Sequence, residues 1–498
     1  MEIFHNLVYG FSVALSFHNL LYCFIGVSLG TLIGVLPGIG SLATIAMLMP
    51  VTFNLPPVSA MIMLAGIYYG AQYGGSTTAI LINIPGETAA IITCIDGYQM
   101  ARQGNAGPAL AIAAIGSFIA GTICTLVIAL FGPPLAELAL EFTSPEYFSL
   151  MVMGLAAAAV LAQGDMIKSL AMVVVGLLLG TVGTDISSGW KRFSFDILEL
   201  ADGIGIVVVA VGVFAVGEIV GNLGNLGDRE VFTSSVKNIF PKRDDLKRSI
   251  GPIIRGTVLG AFFGVLPGTG PAIASFSSYV VEKKLAKDPS RFGHGAIEGV
   301  AGPEAANNAD AQCKFIPTLT LGIPVSGVMA LMLGALMIQG IVPGPTVMTQ
   351  KPDLFWGLIA SMWIGNLMLL MLNLPLIGIW ISLLKVPYRM LSPAIMVFTA
   401  IGIYSMNNSP FEIYLMAFFG ILGFVWMKLD CSPVPIILGL VLGPMIEENL
   451  RRSMLISRGD PMIFLTRPIS FAFLIATILI LIIMMVPAVR KRRGNITG

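Results

Sequence analysis

The chain has 498 residues, of which 56% are hydrophobic and only 11% charged, with a mean hydropathy of +0.88. Soluble domains carry about 25% charged residues, so this composition excludes a soluble globular fold. The formal net charge of +1 gives no electrostatic case for nucleic acid or an acidic partner.

In chain order, the first predicted element is an apolar run that stops at Gly34-Val35-Leu36-Pro37-Gly38-Ile39-Gly40, with Ser41 and Thr44 after it. Proline removes a backbone donor and glycine weakens a helix, so a helix should break here and restart. A helix restarting at Gly40 and Ser41 would aim unpaired N–H groups and a positive dipole end at a carboxylate. A polar approach follows. Tyr68, Tyr69, Gln72 and Tyr73 lead through Gly74, Gly75, Ser76, Thr77 and Thr78 to a second break, Ile82-Asn83-Ile84-Pro85-Gly86-Glu87. Hydroxyls and amides in such number are costly in hydrocarbon unless they line water or a ligand. Apolar runs at Gly107–Leu130 and Ile204–Val220 reach or approach the roughly 20 residues that cross a bilayer. The basic stretch Gly224–Arg248, with Arg229, Lys237, Lys242, Arg243, Lys247 and Arg248, then divides the chain.

The second half repeats this order. Gly264-Val265-Leu266-Pro267-Gly268-Thr269-Gly270 matches the first break, and Ser275, Ser277 and Ser278 follow. Gly302-Pro303-Glu304-Ala305-Ala306-Asn307-Asn308-Ala309-Asp310 precedes Lys314 and Pro317-Thr318-Leu319-Thr320. The second break here is Leu321-Gly322-Ile323-Pro324-Val325-Ser326. Aligning Pro85 with Pro324 sets Asn307 and Asn308 opposite Tyr68 and Tyr69. Two weaker landmarks match as well: Ser144-Pro145-Glu146 with Lys351-Pro352-Asp353, and Gly212, Gly217 and Glu218 with Gly439, Gly443 and Glu447. Trp356–Leu384 and Ile469–Val486 are further long apolar runs.

These signals predict an all-α polytopic membrane protein of about 11–14 transmembrane segments in two inverted repeats with broken or re-entrant helices. Residues 1–223 form the expected first repeat, 224–249 a cytoplasmic basic linker and 250–450 the second repeat. Residues 451–498 supply a loop, an extra helix and a basic tail. Positive charge on the linker and on Arg490–Arg493 places both in the cytoplasm and the N-terminus outside. The loop Glu447–Pro468, with Arg451, Arg452, Arg458 and Arg467, runs against that rule.

Paired breaks at matching places in two halves mark the binding site of a secondary transporter. The substrate site is expected from the first turns (Pro37, Gly38, Gly40 and Ser41; Gly268 and Gly270) and the second turns (Pro85 and Gly86; Pro324 and Ser326). Ser76, Thr77, Thr78, Asn83, Asn307, Asn308, Thr318 and Thr320 add side-chain contacts, and Lys314 offers a charge to an anionic substrate. Two amides between two carboxylates suit cation coordination, so a Na+ site is expected near Glu304, Asn307, Asn308 and Asp310. The competing reading of each glycine phrase is close helix packing. Nucleotide binding and ATP hydrolysis are not expected: Gly38, Gly40 and Ala43 fit a loose fingerprint in the wrong context, and there is no phosphate loop. No catalytic pair stands out, so an enzyme is not expected, whereas a channel built on broken helices remains open.

At these residues the chain resembles the large membrane subunit of the tripartite tricarboxylate transporters. The resemblance rests on Gly34–Thr44, Tyr69–Glu87, Gly264–Ser275, Gly302–Asp310 and Pro317–Pro324, the run Pro303–Asn308 being the most specific. It implies a bacterial inner-membrane carrier with a small membrane subunit and a periplasmic solute-binding protein as partners. It also implies uptake of citrate or another carboxylate, driven by a Na+ or H+ gradient and needing no cofactor. The alternative is a transporter for another small organic anion. Val325 departs from the glycine usual after Ile-Pro, as do Gln312, Cys313 and Lys314 from the usual small residues.

Overall fold

The computed structural model describes residues 2–36, 40–161, 165–185, 187–222, 239–383 and 388–485. Its only strands among these residues are the two-residue pair Gly183–Thr184 and Lys191–Arg192. Helix elsewhere is what a bilayer demands, since it offers no water to unpaired backbone groups.

In the first half the helices are α1 (Glu2–Ala14), α2 (Phe17–Gly34), α3 (Ser41–Thr52), α4 (Pro57–Ile82), α5 (Ala90–Arg102), α6 (Ala106–Leu140), α7 (Ser144–Leu161), α8 (Met166–Gly180), α9 (Ile206–Ala210) and α10 (Gly217–Asn222), the last two joined by a π-helical segment, Val211–Val216. In the second half they are α11 (Arg243–Gly264), α12 (Pro271–Leu285), α13 (Glu298–Cys313), α14 (Phe315–Leu321), α15 (Gly327–Ile338), α16 (Val347–Gln350), α17 (Pro352–Asn373), α18 (Ile377–Leu383), α19 (Tyr388–Asn407), α20 (Pro410–Lys428), α21 (Val434–Ile456), α22 (Ile463–Thr466) and α23 (Pro468–Met485). Among the described residues, α2, α6, α17 and α20 are long and apolar enough to cross a membrane. The expected run Trp356–Leu384 is not one helix: it turns at Leu374–Leu376 between α17 and α18. The basic stretch at 223–238 and the tail Arg490–Arg493 lie outside the described residues.

Both predicted breaks end helices. α2 stops at Gly34 and α3 starts at Ser41; α11 stops at Gly264 and α12 starts at Pro271. α4 ends on Asn83 in the left-handed conformation (φ 56°), and α14 ends on Gly322 in the same conformation (φ 71°). Such a residue closes the last turn and lets the chain reverse.

Two helices sit at the centre. Every residue of α4 from Ser59 to Leu81 is buried, as is every residue of α13 from Gly299 to Cys313. Each is held by a glycine seam on the helix before it. Gly26, Gly30 and Gly34 of α2 lie directly on the backbone of Met63, Ile67 and Ala71, and Gly256, Gly260 and Gly264 of α11 lie on Gly302, Ala306 and Asp310. Any added Cβ would strike a carbonyl oxygen, so these positions need small residues for the helices to meet. The partners Met63 and Gly302, Ile67 and Ala306, and Ala71 and Asp310 keep the same separation as Pro85 and Pro324. The seams therefore place Asn307 and Asn308 opposite Tyr68 and Tyr69, as the sequence alignment has them.

Beyond the seams the halves interlock. α6 packs on α13 and α11, while α17 packs on α4 and α2. Likewise α8 packs on α21, with Gly176 against Ile436 and Gly439, and α20 packs on the π-helical segment, with Gly420 against Val216. The landmark at Ser144 and Lys351 thus joins helices with different neighbours. α7 lies on α21 and α23, while α17 takes the place in the second half that α6 holds in the first.

Candidate substrate and ion site

In each half the two turns come together. In the first, the Ser41 N–H at the start of α3 donates to the Glu87 carboxylate from the Ile-Pro turn. The place predicted for a ligand carboxylate therefore holds a carboxylate of the chain itself. Gly86 packs into the crevice between Gly34 and Gly75, with its N–H donating to the Gly75 carbonyl at 3.4 Å. Pro37 and Gly38 lie outside the described residues. In the second half the Gly268 N–H donates to the Val325 carbonyl at 3.0 Å. Gly268 has φ 79° and lies against the Ala157 backbone, so only glycine fits. Gly270 caps α12 in an extended conformation, and the Ser326 hydroxyl caps α15 by accepting from the Met329 N–H.

The polar residues of α4 and α13 meet between the turns. Glu304 is 1% exposed and accepts from the Ser76 hydroxyl at 2.6 Å and from the Thr93 hydroxyl. Asn308 donates to the Ser117 hydroxyl of α6 at 2.6 Å and to the Glu304 carbonyl at 3.1 Å. Asp310 and Lys314, both wholly buried, form an ion pair one helical turn apart. The four residues expected around Na+ are thus divided: Glu304 and Asn308 face α4, α5 and α6, whereas the Asp310 charge is matched by Lys314. Among the described residues, no three His, Cys, Asp or Glu side chains cluster as metal ligands.

Several expected contacts are satisfied locally. Thr78, Thr318 and Thr320 donate to the carbonyls of Gly75, Lys314 and Ile316, the back-bonding common for mid-helix hydroxyls. Asn83 is exposed, Pro85 half-buried and Pro324 buried. Asn307 differs from all of these, since its amide is buried and neither its nitrogen nor its oxygen has a partner. Buried side-chain atoms without partners also include Tyr69 Oη and Gln72 Oε1 on α4, and Asp310 Oδ1 and Gln312 Oε1 on α13. Each such atom costs about 1–3 kcal/mol unless something pairs with it. Their concentration on the two central helices marks where a polar ligand would be received.

The sequence profile of the tripartite tricarboxylate transporter TctA family matches residues 20–438. The chain belongs to this family. It is 58% identical over 496 residues to an uncharacterized 52.8 kDa protein in the TAR-I ttuC' 3' region of Agrobacterium vitis, covering 100% of this chain and 99% of that protein. It is 57% identical over 237 residues to an uncharacterized protein in the TAR-II ttuC' 3' region of the same organism, covering 48% of this chain and 98% of that protein. No solved structure matches the chain.

In this TctA-family chain the interior holds polar residues that sequence reading passed over. Tyr73 donates from its hydroxyl to Asn366 Oδ1 at 2.7 Å, and Asn366 donates to the Phe118 carbonyl at 2.9 Å. Asn366 and Asn373 stand seven residues apart on the apolar helix α17, close to two full turns. Amides on one face of an apolar helix were the available signal. Thr93 and Ser117 carried none, being single hydroxyls in apolar runs. At the protein's surface a charged network ties the 183–192 hairpin to α21: Arg451 donates to Asp185 and to Glu447, and Arg192 also reaches Glu447. The Ser188 hydroxyl, then the Arg451 guanidinium, hold the Asp185 carboxyl down at about 2.

Proposed function

We propose that this chain is the translocating subunit of a secondary carrier that takes up a tricarboxylate or related carboxylate. Its partners are a small membrane subunit and a periplasmic solute-binding protein, and a Na+ or H+ gradient drives it. Membership of the TctA family supports the transport role. The observation that carries the site is the set of buried, unpartnered polar atoms on α4 and α13 between two pairs of converging turns. In this reading Asn307 and the backbone N–H groups of the turns receive substrate carboxylates. Glu87, now on Ser41, gives way to one of them.

Inverted repeats fit the interlocked packing, in which each half lends a long helix (α6 or α17) to the other's central pair. Movement of the central pairs against the remaining helices then alternates access. The hairpin network supports the proposed orientation, with the basic linker and C-terminus cytoplasmic in the bacterial inner membrane. In this reading the apolar segment 206–222 crosses once between residues 185–192 and the linker, which puts α21's C-terminal end on the opposite face from the linker. Its arginines Arg451 and Arg452 are paired there with Asp185, Glu447 and Glu448. The experiment is uptake of radiolabelled citrate and other di- and tricarboxylates by cells expressing the chain with its cognate small subunit and binding protein. Saturable uptake of one carboxylate that disappears without the chain is expected. Equal uptake in cells lacking the chain would contradict the reading.

A further inference from the structure

A cavity of about 10 Å³, the room one water takes, lies between α4, α6 and α17. Tyr73, Ser76, Thr77, Ser117 and Asn373 bring oxygen-bearing side chains to its wall. The Asn373 amide nitrogen is spent on the Leu369 carbonyl, but its Oδ1 is buried and has no partner. Two wall residues lead directly to the polar centre: Ser76 donates to Glu304, and Ser117 accepts from Asn308.

Glu304 is the reason that water alone does not complete this place. It is 1% exposed and bonded only to hydroxyls, and no ion pair among the described residues includes it. The lysine that follows the last residue of α13, Lys314, is matched by Asp310. A buried carboxylate without a counter-charge is expensive in a membrane interior. A cation in the cavity would supply that charge one side chain away. Neutral hydroxyl and amide oxygens around it are hard ligands. One nearby carboxylate, with no acidic cluster among the described residues, favours a single positive charge over a divalent ion.

We infer that the cavity between α4, α6 and α17 is a binding site for a desolvated monovalent cation of sodium's size, held by Ser76, Thr77, Ser117 and Asn373 and balanced by Glu304. This moves the expected ion site away from Asp310 and Asn307, to the side of α13 that faces α6. It also ties the ion to substrate, because Asn308 and Glu304 stand one turn apart on the helix that presents Asn307. The inference deepens the carrier reading above, but direct binding tests it separately.

The test uses the purified full chain in detergent, with 22Na+ binding and thermal unfolding measured in NaCl against KCl and choline chloride at constant ionic strength and constant pH. Saturable sodium binding and a sodium-specific rise in unfolding temperature are expected. Ser117→Ala and Asn373→Ala should each weaken sodium binding by about tenfold or more. An unchanged sodium response in both variants would overturn the site. So would a wild-type chain that binds no 22Na+ and unfolds at the same temperature in all three salts. A chain that binds sodium through these residues yet moves no carboxylate would refute the carrier reading and leave the site standing.

Discussion

Asn307 and Lys314 look alike in sequence, as polar residues in one improbable run, yet the fold uses them differently. Asn307 is buried with both amide atoms unpaired, so it is available to a ligand. We expect Asn307→Ala to lower carboxylate uptake by about tenfold or more, since a lost hydrogen bond to a charged group is worth roughly 1.5–3 kcal/mol. Removing an unsatisfied amide should leave the unfolding temperature unchanged or raise it. Wild-type uptake kinetics in the variant would remove Asn307 from the site. Lys314, the residue that closes α13, is matched to Asp310 four residues before it. Lys314→Met leaves a buried carboxylate unpaired, which should cost about 3–5 kcal/mol, read as lower thermal stability. Adding Asp310→Leu should restore most of that loss. A Lys314→Met chain as stable as the parent but with weakened substrate affinity would instead mean that the lysine serves the substrate.

At the scale of elements, the breaks at Gly34–Gly40, Ile82–Glu87, Gly264–Gly270 and Leu321–Ser326 were all legible, because proline and glycine act locally on the backbone. The pairing of the turns within each half was also foreseeable from their order. Three other features were not. Glu87's seat on Ser41 depends on how the chain folds back after α4. Ser117 and Thr93 join the polar centre only through tertiary packing, and nothing local distinguishes them. The landmark at Ser144 and Lys351 misled because Pro-Asp or Pro-Glu starts many helices, whatever their neighbours. The glycine seams were legible in principle, as Gly26, Gly30 and Gly34 recur at the same spacing in Gly256, Gly260 and Gly264, but packing decides which face they present. Gly260→Leu should push α11 off α13 at Ala306 and destabilise the chain by about 1–3 kcal/mol or more. The same change at Gly270, where a Cβ meets nothing within 4 Å, should be mild. Equal stability of both variants would show that the seam is not a close contact.

The whole molecule places two fully buried, polar-bearing helices at its centre and wraps each with helices drawn from both halves. Composition alone excluded a soluble fold, and the family match secures a transport role. The polar centre supplies the physical case for a carboxylate and its cation. The measurement that tests this most directly is uptake of a labelled carboxylate into proteoliposomes containing the chain and its small membrane subunit, with the binding protein outside and an imposed inward sodium or proton gradient. The account predicts saturable accumulation above the outside concentration that collapses when the gradient is dissipated. Flux that only equilibrates, indifferent to both gradient and binding protein, would contradict it and identify a pore.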